Sequence, residues 1–128
     1  MAKILLIDDD DDYREFIATG LRRNGHAVTV ATSGLFLTAE SGKADFGTTF
    51  EVIITDILMP DVDGLKVIRS VKAAYPPCKI IAISAGGRFN KSSVFLDLAD
   101  AFGAEATLAK PFGILELCNA VDGMTRAA

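Results

Sequence analysis

The chain has 128 residues, of which 50% are apolar and 23% are charged, and its net charge is −4. No stretch approaches the roughly 20 apolar residues that a membrane span needs. The acidic balance also argues against nucleic-acid binding, which normally shows a clustered basic surface. Because Met1 leads straight into the first predicted strand without a secretory signal, we expect a cytoplasmic protein with one domain over residues 1–128.

Strand patterns and helix patterns alternate along the whole chain. Strands are predicted over residues 3–7, 27–31, 52–55, 79–83 and 106–109. Helices are predicted over about 11–24, near 35–44, from 63 to before Pro76, over about 92–102, and from 114 onwards. This alternation predicts an α/β fold, in which five parallel strands form a doubly wound sheet with helices on both faces.

Five consecutive aspartates, Asp8 to Asp12, follow the apolar run at 4–7. Four large apolar residues in a row are typical of a parallel strand that is buried on both faces, so the aspartates must begin at the carboxyl edge of the sheet. Asp10 to Asp12 are interpreted as the start of the first helix, because early acids cap free amides and favour the helix dipole. Asp8 and Asp9 still belong to the strand end, and we favour a metal or catalytic role for them.

Polar residues also end three other predicted strands, and these residues are Asp56, Ser84 and Lys110. Since parallel strands end at the same edge, we expect all of them to converge with Asp8 and Asp9. Carboxylates without nitrogen or sulfur ligands suit a hard divalent cation, and a small number of protein ligands suits Mg²⁺. Lys110 and Ser84 could hold two oxygens of a phosphoryl group that Asp56 accepts as a nucleophile.

Four separated motifs together resemble the receiver domain of response regulators in two-component signalling. They are Ile7-Asp8-Asp9, the run Thr55-Asp56-Ile57-Leu58-Met59-Pro60-Asp61 with Gly64, Ser84-Ala85, and Lys110-Pro111-Phe112. The resemblance covers essentially the whole chain and implies a flavodoxin-like sheet with strand order 2-1-3-4-5. It also implies a phosphorylation-dependent switch with no enzymatic activity beyond its own phosphoryl transfer and dephosphorylation.

The resemblance implies a metal and acceptor role for four residues. Asp56 resembles the phosphoacceptor, and Asp9 resembles the direct Mg²⁺ ligand. Asp8 resembles an acid that holds the metal through water, and Leu58 would provide its backbone carbonyl. The implied phosphoryl donor is a histidine kinase or a histidine phosphotransfer protein.

The switch residues are also implied by the resemblance. Ser84 resembles the hydroxyl that moves toward the phosphoryl group, and Lys110 resembles the lysine that pairs with it. A cis peptide bond between Lys110 and Pro111 is typical of the family, which fits the small cis penalty of proline.

One position departs from the family pattern. The third residue before the lysine is usually aromatic and turns inward when the switch hydroxyl moves, but this chain has Thr107. Either Thr107 changes its rotamer and hydrogen-bond partner, or the signal passes through the loop at 86–92. Leu58 and Gly86 occupy positions that commonly tune the access of water to the phosphoryl group.

The predicted helix over 92–102 is unusually apolar. Its inward stripe consists of Phe95, Leu98, Ala99 and Phe102. Val94, Leu96 and the preceding Phe89 are left for other faces. In the family, this helix, the fifth strand and the last helix form the common output surface for a downstream protein or a dimer partner. An interface and simple edge packing are both open for the remaining apolar side chains.

The remaining candidates for chemistry are interpreted as structural. Cys78 and Cys118 lack metal-type spacing and are predicted to be buried, reduced thiols. His26 follows the helix-stop signal of Asn24 and Gly25, so it is assigned to a turn or strand start without a chemical role.

Functions from two other classes stay open. A phosphatase or another Mg²⁺ enzyme could use Asp56 as a nucleophile, although Leu58 stands where its general acid is expected. A receiver-like scaffold regulated only by protein binding is the other alternative, and Thr107 supports it. Since no output domain follows in this chain, we expect a stand-alone receiver or a piece of a larger regulator, and Met1 favours the former.

Overall fold

The computed structural model describes residues 2–31, 50–57, 64–74, 76–85, 97, 99 and 103–125. The elements defined in these ranges are β1 (Lys3–Ile7), α1 (Asp11–Arg23), β2 (Ala27–Ala31), β3 (Val52–Asp56), α2 (Gly64–Ala74), β4 (Lys79–Ala85), β5 (Ala106–Lys110) and α3 (Ile114–Thr125). Residues 97 and 99 are helical. The rest of the helix predicted over 92–102 and the helix predicted near 35–44 lie outside the described residues.

The five strands form one parallel sheet in the order β2-β1-β3-β4-β5. This result confirms the predicted fold class and strand order. The chain winds outward from β1 to β2, and it then returns to place β3 on the other side of β1. The carboxyl ends of β1 and β3 therefore flank the point where the winding reverses, which is where ligand sites form in open α/β sheets.

The sheet is buried on both faces, as the apolar runs predict. All four apolar residues at 4–7 in β1 have 0% exposure, and burying each such side chain contributes about 1.5–3 kcal/mol. Alternate residues of the strands point to opposite faces, so they form two core clusters. One cluster includes Leu5, Ile53, Ile80, and Ile68 and Val71 of α2. The other includes Ile4, Ile54, Ile81, Ile17 and Leu21 of α1, and Leu117 and Val121 of α3.

The first helix begins as its sequence predicts. Asp10 is the N-cap residue, and its Oδ1 accepts a hydrogen bond of 3.1 Å from the backbone N–H of Tyr13. Asp11 and Asp12 occupy the first turn, where negative charge favours the helix dipole. The helix ends one residue earlier than predicted, because Asn24 is the C-cap and Gly25 takes a φ of 88°. A glycine adopts that left-handed backbone without a steric cost.

Strands β3, β4 and β5 extend further than their apolar patterns predict. Asp56 pairs with Ile83, Ser84 pairs with Ala109, and Ala85 pairs with Lys110. Backbone hydrogen bonding does not depend on the polarity of the side chain, so the ladder continues through these polar residues. Strand geometry therefore fixes Asp56, Ser84 and Lys110 at the sheet edge.

His26 connects the start of β1 to α3. Its buried Nδ1 accepts a hydrogen bond of 3.0 Å from the backbone N–H of Ala2, and its Nε2 lies 3.5 Å from Asp122 Oδ1. Cys78 and Cys118 are free and buried, as predicted. Within the described part of the chain, none of the helices has the length and apolar character to cross a bilayer.

Candidate functional site

Asp8 follows β1 directly and has 0% exposure. Its two carboxylate oxygens have different partners. Oδ1 accepts a hydrogen bond of 2.9 Å from the backbone N–H of Asp10, and Oδ2 accepts one of 2.8 Å from Lys110 Nζ. A buried carboxylate needs such compensation, because removing its charge from water costs several kcal/mol.

Asp56 is the last residue of β3 and is 4% exposed. Its Oδ2 lies 3.4 Å from Lys110 Nζ. Its backbone carbonyl accepts a hydrogen bond of 3.0 Å from Thr55 Oγ1, and the N–H of Ile57 donates to the carbonyl of Ile83 at 3.0 Å. The backbone on both sides of the carboxylate is therefore held in place.

Asp8, Asp9 and Asp56 form a cluster that is compatible with a metal ion. One carboxylate oxygen from each residue lies within 4.8 Å of the others, and Asp9 is exposed while the other two residues are buried. These are the hard oxygen donors that Mg²⁺ and Ca²⁺ prefer. Three carboxylates and the single ammonium of Lys110 leave two excess negative charges (3 − 1 = 2), which is the charge that a divalent cation would balance.

Lys110 ends β5 and reaches into this cluster. Its side chain is 9% exposed. Burial lowers the pKa of Lys110, but the hydrogen bond to Asp8 and the charges of Asp8 and Asp56 outweigh burial and raise its pKa above the ordinary value. The lysine is therefore a permanent ammonium at neutral pH. The predicted cis peptide bond between Lys110 and Pro111 is present.

Sequence reasoning missed two residues of α1 that contact the site. Lys110 Nζ lies 4.4 Å from the centroid of the Tyr13 ring, and the Tyr13 hydroxyl accepts a hydrogen bond of 3.2 Å from the backbone N–H of Phe112. Arg14 donates from Nη1 to the carbonyl of Asp8 at 2.8 Å. The only sequence signal for these contacts is their place in the first helical turns after the aspartates.

Ser84 lies at the same sheet edge, one residue beyond the strand partner of Asp56, and is fully buried. Thr107 is partly buried inside β5, where it pairs with Ala82. The structure thus brings Asp8, Asp9, Asp56 and Lys110 together. Leu58, Gly86 and the loop that follows it lie outside the described residues.

A sequence profile of the response regulator receiver domain matches residues 4–122. The chain belongs to the response regulator receiver domain family. This receiver domain is 32% identical over 130 residues to the response regulator receiver protein CpdR of Brucella abortus, with full coverage of both chains. It is 30% identical over 126 residues to the transcriptional regulatory protein CusR of Escherichia coli, of which it covers 51%. The receiver domain therefore spans one of these relatives completely and about half of the other.

Solved structures show the same architecture. The chemotaxis response regulator CheY4 of Vibrio cholerae superimposes on the receiver domain with a TM-score of 0.79 and 28% identity, covering 97% of this chain and 98% of CheY4. A putative response regulator of Chloroflexus aurantiacus gives a TM-score of 0.80 and 27% identity, covering 98% and 99%. The family indicated by the four sequence motifs is confirmed.

Proposed function

We propose that this receiver domain is a signalling switch that accepts a phosphoryl group on Asp56 from a histidine kinase or a histidine phosphotransfer protein. The observation that carries the proposal is the position of Lys110 Nζ, which lies 2.8 Å from Asp8 Oδ2 and 3.4 Å from Asp56 Oδ2. A buried carboxylate beside both a lysine and a metal-compatible cluster is suited to nucleophilic attack on phosphorus.

The carboxylate cluster would hold Mg²⁺. Asp8, Asp9 and Asp56 would be its side-chain ligands or would hold it through water, and Leu58 would add its backbone carbonyl. The donor set supports this assignment, because it consists of oxygens and leaves two negative charges uncompensated. When bound, Mg²⁺ supplies positive charge that neutralises the phosphoryl oxygens.

Side chains of the domain perform the phosphoryl transfer. An Oδ of Asp56 forms a bond to phosphorus while the N–P bond of the donor's phosphohistidine breaks. The electron pair of that bond remains on the imidazole nitrogen, and the product on Asp56 is an acyl phosphate. Lys110 then donates to a phosphoryl oxygen, and Ser84 provides the hydroxyl that responds to the phosphoryl group. Hydrolysis returns inorganic phosphate and the free carboxylate, so the domain acts by binding and not by turnover of an external substrate.

The output is a change in partner binding at another surface of the domain. We propose that this surface comprises the helix around residues 97 and 99, β5 and α3, and that it binds a downstream protein or a second receiver. Within the described residues, this surface carries one large exposed apolar side chain, Leu115 of α3, which is 71% exposed. We further propose that residues 1–128 act as one receiver domain in the cytoplasm.

Phosphorylation with small donors tests the assignment. Wild type, Asp56→Asn and Asp97→Asn are incubated with acetyl phosphate and Mg²⁺, and covalent phosphate is measured by mass spectrometry. Asp97 is exposed and is not a member of the carboxylate cluster, so it serves as the matched control. We expect phosphate on wild type and Asp97→Asn, and none on Asp56→Asn.

Three results would each redirect the assignment. Equal incorporation into wild type and Asp56→Asn would place the acceptor elsewhere. Continuous turnover of a phosphoester by the isolated protein would favour the enzyme class. A protein that takes up no phosphate and binds no beryllofluoride, yet still captures a partner, would favour the scaffold.

A further inference from the structure

The Lys110 ammonium lies against an aromatic ring as well as beside the two carboxylates. Lys110 Nζ lies 4.4 Å from the centroid of Tyr13, which is within the range of a cation–π interaction. We propose that Tyr13 is a positioning residue, which holds the Lys110 ammonium where it can reach Asp56. This inference rests on the proposed phosphoryl transfer to Asp56 and adds a residue to it.

The lysine needs a third partner because its charge is almost withdrawn from water. An ammonium has three N–H donors, and Asp8 and Asp56 are its two anionic acceptors. The side chain of Lys110 is 9% exposed, so little water remains to hold the rest of the ammonium. A ring face attracts a desolvated cation more strongly than an exposed one. Tyr13 therefore adds a third contact that restricts the ammonium, beside those of Asp8 and Asp56.

The ring can fulfil this role because it is itself fixed at both ends. The backbone N–H of Tyr13 donates to Oδ1 of Asp10, the N-cap residue of α1. The hydroxyl at the far end of the ring accepts a hydrogen bond from the backbone N–H of Phe112. The rings of Phe16 and Phe112 lie edge-on to it, with centroids at 5.8 and 5.5 Å. Tyr13 thus bridges the first turn of α1 and the segment that follows Lys110. A ring held in this way positions the ammonium without rotamer freedom of its own.

The ring contact can be measured before any phosphorylation. Protons on the carbon next to Lys110 Nζ should be shifted upfield by the aromatic ring current, and lysine-selective labelling makes them visible by NMR. Tyr13→Phe keeps the ring and should keep this shift. Tyr13→Leu and the longer Tyr13→Met remove the ring and should lose it. Two non-aromatic variants are used so that at least one folded protein is tested.

The same variants are then phosphorylated with acetyl phosphate and Mg²⁺. The range of cation–π energies predicts that Tyr13→Leu and Tyr13→Met react about twofold to thirtyfold more slowly than wild type. Tyr13→Phe should react at close to the wild-type rate. Phe50→Leu is the matched control, because it also replaces a ring with leucine but lies before β3 in the other core cluster. It should keep both the Lys110 shift and the rate.

Specific results would overturn the proposal. One is a non-aromatic variant that is folded, has lost the Lys110 shift and still reacts at the wild-type rate. Another is a Tyr13→Phe variant as slow as Tyr13→Leu, which would assign the effect to the hydroxyl and Phe112. If wild type itself takes up no phosphate, the proposed function fails. The Lys110 shift would then still show whether Tyr13 positions the ammonium.

Discussion

Lys110 donates its shorter hydrogen bond to Asp8, at 2.8 Å, and its longer one to Asp56, at 3.4 Å. The lysine is therefore held chiefly by Asp8 and less closely by Asp56, the proposed phosphoacceptor. The other oxygen of Asp8 already accepts from the N–H of Asp10. A divalent cation and the Lys110 ammonium would therefore compete for the carboxylate of Asp8.

This competition predicts the effect of Lys110→Met. Removing the ammonium should strengthen Mg²⁺ binding by about tenfold, or ~1.4 kcal/mol, because the cluster then carries one more uncompensated negative charge. Acetyl phosphate should nevertheless react more slowly with this variant, since the ammonium no longer meets the phosphoryl oxygens. Calorimetric titration with Mg²⁺ measures the first effect. Lys3→Met, at the exposed opposite end of β1, is the control, and an unchanged Mg²⁺ affinity in Lys110→Met would refute the competition.

Neutralising Asp8 and neutralising Asp9 should change the free energy of unfolding in opposite directions. Asp9 is exposed, so Asp9→Asn relieves repulsion in the cluster and should stabilise the metal-free protein by about 0.5 kcal/mol. Asp8 is fully buried and paired with Lys110, so Asp8→Asn should destabilise it by about 3 kcal/mol. Urea denaturation without metal measures both free energies of unfolding.

The same two variants test the metal cluster. Mg²⁺ should raise the melting temperature of wild type, because a ligand that binds only the folded state stabilises it. The rise should be smaller in Asp9→Asn and in Asp8→Asn than in wild type. An equal rise in all three proteins would show that Mg²⁺ binds elsewhere.

Stability at alkaline pH should depend on Cys78. Burial raises the pKa of Cys78 from 9.0 to about 11, because the thiolate would be poorly solvated beside Phe50 and the start of β4. The unfolded chain therefore releases this proton at lower pH than the folded protein does. The free energy of unfolding should fall by up to about 1.4 kcal/mol per pH unit between pH 9 and 11.

A cysteine substitution isolates this contribution. Cys78→Ala should be less stable at neutral pH but should show a shallower fall between pH 9 and 11. Urea denaturation at a series of pH values compares the two slopes. Parallel curves for wild type and Cys78→Ala would assign the alkaline loss to other groups.

Gly20 allows a close approach between α1 and α3. A Cβ atom at this position would overlap with Cγ1 and Cδ1 of Ile114. Alanine is the better helix former by about 1 kcal/mol, but this clash is larger than that gain. We expect Gly20→Ala to destabilise the protein by about 1–2 kcal/mol.

A double-mutant cycle checks the cause. Ile114→Ala removes both clashing carbons, so it should suppress the effect of Gly20→Ala in the double variant. Thermal denaturation of the four proteins measures the coupling. Strictly additive effects would contradict a direct contact between the two positions.

Strand ends explain why much of the site could be predicted. Asp8, Asp56 and Lys110 are far apart in the chain, yet each lies at or directly after the end of a strand whose apolar residues indicate a place in a parallel sheet. Parallel strands share a carboxyl edge, so the convergence of these residues follows from the fold alone. The chain order of motifs then indicated the family.

Contacts within the edge could not be predicted in the same way. Lys110 and Asp8 are 102 positions apart. The spacing of apolar residues does not indicate that the ammonium lies nearer to Asp8 than to Asp56. The contact of Tyr13 with Lys110 is equally remote in sequence. Patterns of apolar residues likewise could not show that β4 extends through Ser84, because its backbone pairing with β5 decides where the strand ends.

The amino-acid sequence by itself determined the class of fold, the strands that are buried on both faces and the edge where the charged residues meet. These properties depend on local periodicity and on the tendency of apolar side chains to be buried, and both can be deduced from the order of residues alone. The tertiary structure decided which oxygen faces which ammonium, which ring lies against it and how far each strand continues. Those outcomes depend on distances of a few ångströms between residues from different elements, and they exist only when the sheet and its helices are packed together.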